Sequence, residues 1–123
     1  MTNKELQEKY NLTKEEFWEV RPTKWVISHS ACEKIGAKEG IIFTKPEVHI
    51  GSVGIALLGE AHKQGKESKS IWSTGEASPK NVKMAGAYFW SMAEKRLKDR
   101  LTLKLIEAFN VYSEEEADDF KKE

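Results

Sequence analysis

Six basic side chains offer the clearest chemistry in this chain: Lys80, Lys83, Lys95, Arg96, Lys98 and Arg100. Cationic groups at this spacing can hold phosphates by charge, and arginine adds a bidentate hydrogen-bonding fork. Between Pro79 and Lys104 seven basic residues stand against two acids. From Glu107 to the end seven acids stand against two lysines. The formal net charge is zero, so a polyanion would be drawn by a local field rather than by the whole molecule. The bland reading of both runs is a pair of solvated helix faces.

Other candidates are thinner. His29 and Cys32 lie three residues apart, a spacing a metal could use. No second pair accompanies them, so no metal site is expected, and a buried thiol beside a helix-start histidine accounts for them. Glu60 and Glu76 fall at the two ends of an expected hairpin, where paired carboxylates could do acid–base work. No pocket-forming motif goes with them, and two exposed strand-end glutamates are the simpler reading. The chain has no glycine-rich phosphate loop, no serine elbow and no Cys–His pair with an evident partner. It is expected to be no enzyme and to need no cofactor. Trp25, Trp72 and Trp90 sit in apolar contexts that suit a core. Trp18 is the one expected to be exposed or in a subunit contact.

The basic residues need an element to present them. Phe89, Ala93, Leu97, Leu101, Leu105 and Phe109 recur every four residues, which predicts a long helix within Asn81–Asn110. Met92, Leu103 and Ile106 fall on its other side, so its second half should be buried against more than one layer. Ser78 and Pro79 are suited to its start and Asn110 to its stop. Upstream, Asn3–Tyr10 reads as a short polar helix. Thr13 and Glu16 form a capping box for a second helix ending near Arg21. A third helix over about Ala31–Ala37 can be capped by Ser30, with Glu33, or by Ser28. Ile41–Thr44 reads as a strand, and Pro46 confines the next residues to an edge, a bulge or a strand start. Val48–Gly59 reads as one strand, apolar on both faces from Val53 on, with Gly51 and Gly54 permitting a bend. A polar turn around Gly65 leads to a returning strand, Ser70–Gly75. Ser113 and Glu116 form another capping box, opening a short acidic helix through Phe120.

With 123 residues, the chain suits one domain, 1–123. It divides into an N-terminal helical arm (1–22), a β-β-β-α core (24–110) and an acidic tail (111–123). The class is α+β: short N-terminal helices, an antiparallel meander of about three strands packed on one long amphipathic basic helix, and a short acidic C-terminal helix. A lone cysteine and the lack of a signal-peptide core or a membrane-spanning run fit a soluble cytoplasmic protein.

This order of elements resembles the single-strand annealing proteins of the Rad-fifty-two type and their smaller phage relatives. Val26-Ile27-Ser28-His29-Ser30 looks like the family's short helix, and Gly40-Ile41-Ile42-Phe43 like its strand start. Ser73–Ser78 is similar to the small-residue end of its meander, and Lys95-Arg96 and Arg100 to the basic residues of its long helix. The likeness runs from about Trp25 to Phe109. The aromatic of the strand start comes later here, and Asn110 stands where the family helix usually ends in glycine. The resemblance implies a homo-oligomeric ring or filament, non-catalytic, that binds single-stranded DNA along the long helix and anneals strands in homologous recombination. Lys80, Lys83, Lys95, Arg96, Lys98 and Arg100 would contact the DNA. The acidic tail would either compete for that track or recruit a protein partner. The alternative is a small phage-type accessory protein that acts through protein contacts alone.

Overall fold

A computed structural model describes residues 2–78 and 89–116. The fold is α+β. Helix α1 (Asn3–Tyr10) is closed at its start by a Thr2–Glu5 capping box. Strands β1 (Phe17–Arg21) and β2 (Lys24–Ile27) form an antiparallel hairpin, and β7 (Val111–Ser113) lies parallel to β2. Helix α2 (His29–Glu39) starts on Ser28, whose hydroxyl accepts the Ala31 N–H, and stops at Gly40 in the left-handed conformation. A second sheet centres on β5 (Ile55–Lys63). One edge of β5 pairs with β3 (Ile41–Phe43) and then β4 (Glu47–Ile50), and the other with β6 (Ile71–Ala77), all antiparallel. Helix α3 (Phe89–Leu105) packs across β5 and β6.

Two apolar clusters share α3. Ala93, Leu97 and Leu101 face the second sheet with Ile55, Leu57, Ala61 and Ala77. Leu103 and Ile106 join Leu6, Phe17, Ile27 and Ile35 in the other cluster. On the side of α3 that ends in Leu103 and Ile106 runs a polar stripe, Arg96, Asp99 and Thr102, each almost fully buried.

Several expectations are corrected. The second N-terminal helix is a single turn followed by β1. Glu16 does reach back to the Thr13 N–H at 3.0 Å, but alternation along Phe17–Arg21 favours pairing with β2 over continuing the turn. The N-terminal arm is therefore part strand, and Leu6, Tyr10, Leu12 and Phe17 are core residues. The long apolar run Val48–Gly59 is two strands. Gly51 N–H bonds Gly54 C=O at 2.8 Å, closing a tight hairpin between β4 and β5. Helix α3 ends earlier than Asn110. Glu107 takes the left-handed conformation, and Ala108 N–H reaches Leu103 C=O while Glu107 N–H reaches Lys104 C=O, a Schellman closure. Residues 111–113 of the expected acidic tail form β7. Ser113 starts no helix within the described residues, because its hydroxyl points inward to Asp99. The start of the expected long helix, with Lys80 and Lys83, and the acidic helix beyond Glu116 lie outside the described residues.

Candidate nucleic-acid interface

Helix α3 runs beside the outer edge of β6, which pairs with no strand among the described residues, and its basic residues meet that edge at regular intervals. Arg96 donates to Glu76 C=O at 2.7 Å, Arg100 to Thr74 C=O at 2.8 Å and Lys104 to Trp72 C=O at 3.3 Å. Steps of four on the helix match steps of two on the strand, since one helical turn and two strand residues cover similar lengths. The basic stripe therefore satisfies an edge whose carbonyls would otherwise be open to pairing.

The arginines are further engaged. Arg96 is 2% exposed, and its Nε donates to Glu115 C=O. Arg100 forms fork contacts with both Glu76 and Glu116, at 2.6–2.9 Å. These contacts hold the Glu76 carboxyl below the usual carboxylate range and raise the Arg100 guanidinium further. Arg96 and Arg100 thus work inside the fold and do not line an open phosphate track. Lys95 is half-buried. Lys98 pairs with Glu94 at 3.4 Å and lies over the Phe43 ring. Of the cations singled out from sequence, the four among the described residues, Lys95, Arg96, Lys98 and Arg100, do not share one open face.

Other cations do converge. Lys63 ends β5, Lys66 and Lys69 sit on the turn after it, and Lys104 comes from the last turn of α3. All four line a cavity of about 320 Å³ with Ile71, Leu105 and Glu107. An adjoining cavity of about 340 Å³ shares Lys63, Leu105 and Glu107 and adds Lys9, Tyr10 and Glu5, so the depression continues as a groove towards α1. Lys63 is 3.7 Å from Glu39. Lys66 and Lys69 are exposed and have no described carboxylate at ion-pair distance.

Trp72, next to Ile71 on the outward face of β6, is 64% exposed and is linked to the groove through Lys104, whose ammonium lies 5.8 Å from its ring centre. Its expected place in the core is corrected by strand alternation. Ser73, Gly75 and Ala77 take the inward positions, and Trp72, Thr74 and Glu76 point away from the core. Trp90 is also exposed, while Trp18 is only half-exposed and Trp25 packs on Phe17 at 4.7 Å.

No family model, curated protein or solved structure matches this chain. A legible signal for the groove was present in KQGKESK, where lysines recur every three residues around a glycine turn. A second was Trp72 alternating with small residues.

The buried polar stripe of α3 carries a second arrangement. Asp99, 1% exposed, accepts from His29 Nδ1 at 2.7 Å and from the Ser113 hydroxyl at 2.5 Å. His29 Nε2 lies 3.6 Å from Glu33. The hydrogen bond to Asp99 raises the His29 pKa, against burial, which lowers it. Burial pushes the Cys32 thiol well up, reinforced by Asp99, so the sulfur stays protonated and is a poor nucleophile. His29, Asp99 and Cys32 border a cavity of about 210 Å³ with Lys98 and Thr102. Among the described residues no group of three or more histidine, cysteine, aspartate or glutamate side chains could hold a metal ion. Glu60 lies opposite Trp72 and Glu76 opposite Ala56, so the two carboxylates are separated along the sheet. No helix among the described residues is long and apolar enough to cross a membrane.

Proposed function

We propose that this protein binds single-stranded nucleic acid without catalysing a reaction, in the groove at the Lys63–Ile71 end of the second sheet. The observation that carries this reading is the convergence of Lys63, Lys66, Lys69 and Lys104 on one groove beside the exposed Trp72. The ammonium groups would neutralise phosphates, and the indole offers a face on which one base can stack. A strand held by its backbone keeps most of its base edges free, which is what annealing in recombination requires. The resemblance to annealing proteins of the Rad-fifty-two type supports the same activity, with the contact surface moved from the middle of α3 to its C-terminal end.

Fluorescence anisotropy of a labelled single-stranded oligonucleotide tests the reading. Binding should weaken steeply with salt, because each neutralised phosphate releases counterions. Trp72→Ala should cost about 1–3 kcal/mol of binding. Folded protein that fails to bind at low salt would turn the assignment to the alternative, a protein acting through protein contacts alone.

A further inference from the structure

Strand β4 is the most exposed element of the second sheet, with all four residues open to solvent. Its inner edge pairs with β5, and among the described residues no strand pairs with its outer edge. The Gly51–Gly54 bond fixes which backbone groups point where. Hydrogen-bonded pairs alternate along an antiparallel ladder. His49–Ala56 and Glu47–Leu58 therefore bond inward, and the N–H and C=O of Val48 and Ile50 point outward. Val48, Ile50 and Val53 are 44%, 71% and 66% exposed. Glu47 and His49 share the opposite face, 3.2 Å apart.

We propose that a second copy of this chain occupies that edge, with β4 pairing antiparallel to its mate about a twofold axis through Val48. In this register Val48 exchanges both backbone hydrogen bonds with the mate's Val48. Each Glu47 stands opposite the mate's His49, so one contact supplies two carboxylate–imidazole pairs by symmetry. Neighbouring registers lose this match. An axis through His49 sets two imidazoles face to face, and an axis through Ile50 sets His49 against Gly51. The paired sheets form one continuous antiparallel sheet, with the two Val48 side chains together at the axis and each Ile50 opposite the mate's Pro46. Pro46 and the tight Gly51–Gly54 turn flank β4, which limits the pairing to this short strand. The seam lies at the Ile55 end of β5 and the lysine groove at the Lys63 end, so this assignment does not rest on nucleic-acid binding.

Sedimentation velocity of the full chain tests it, together with oxidative cross-linking of Val48→Cys and Ile50→Cys. Paired Val48 positions lie about 5.5 Å apart at Cα in such a ladder, within disulfide reach. Ile50 and its mate are offset by four residues and are not. Native Cys32 is buried and does not compete. The expected result is a dimer that cross-links through position 48 and not through position 50. His49→Glu should weaken it at least about tenfold by opposing carboxylates, and adding Glu47→Lys should restore it. Overturning results are a monomer at about 100 μM, equal cross-linking at both positions, or a dimer indifferent to His49→Glu.

Discussion

Asp99 shows how one residue joins the two halves of the molecule. Its carboxylate is buried and would be costly without partners. His29 from α2 and Ser113 from β7 supply them. The His29 pKa is raised in the folded state. Stability from this pair is therefore full below the ordinary histidine value of about 6.5 and is lost as pH rises through the higher folded value. Thermal unfolding should show a Tm that declines over that range. His29→Gln should lower Tm at about pH 6 and flatten the decline, and an unchanged slope would contradict the assignment. Arg100 works at the opposite edge of α3. Replacing it with Met removes charged hydrogen bonds to Glu76 and Glu116 and should cost about 2 kcal/mol in urea unfolding, allowing for partial solvent screening. The depressed Glu76 pKa adds stability above the ordinary carboxylate range, lost as pH falls through the folded value. The variant should lack that acid limb. Little of this was legible in KRLKDR, a run that reads as surface charge. Burial of Arg96 and Asp99 follows from two apolar layers closing on opposite sides of one helix, which pattern alone does not separate from a solvated face.

At the scale of elements, close approach of α3 to the sheet rests on two glycines. A Cβ at Gly75 would lie 2.3 Å from Ala93 O and 2.5 Å from Leu97 N, both backbone atoms of the helix. At Gly59 it would meet a Leu97 methyl group at 2.9 Å, which can rotate away. Gly75→Ala should therefore cost about 3 kcal/mol and Gly59→Ala about 1 kcal/mol, measured as unfolding midpoints in denaturant. Equal costs would mean the helix does not sit so close. The hairpin of β5 and β6 was readable from its strand pattern and glycine turn, helix α2 from its capping serines, and helix α1 as a short polar segment whose Thr2–Glu5 cap went unread. The split of Val48–Gly59 into β4 and β5 was not. Two adjoining strands facing partly different surroundings look like one strand covered on both faces, and only the Gly51–Gly54 closure distinguishes them. Strand β7 was hidden for another reason: three residues pairing in parallel with β2, far away in sequence, leave no local signature.

For the whole molecule, neutral net charge conceals two uses of cations. One set, Arg96, Arg100 and Lys104, holds α3 to the outer edge of β6. The other, on the turn after β5, stands clear of described carboxylates at Lys66 and Lys69. The proposed activity belongs to the second set, with Lys104 common to both. Anisotropy with one labelled single-stranded oligonucleotide separates the groove from the middle of α3 most directly, using Lys66→Ala/Lys69→Ala against Lys95→Ala/Lys98→Ala in proteins of equal Tm. Loss of about two phosphate contacts should lower the salt slope of the first variant by about 1.4 and weaken its binding, while the second stays near wild type. Binding that survives loss of Lys66 and Lys69 but collapses without Lys95 and Lys98 would return the strand to the middle of α3 and contradict the groove.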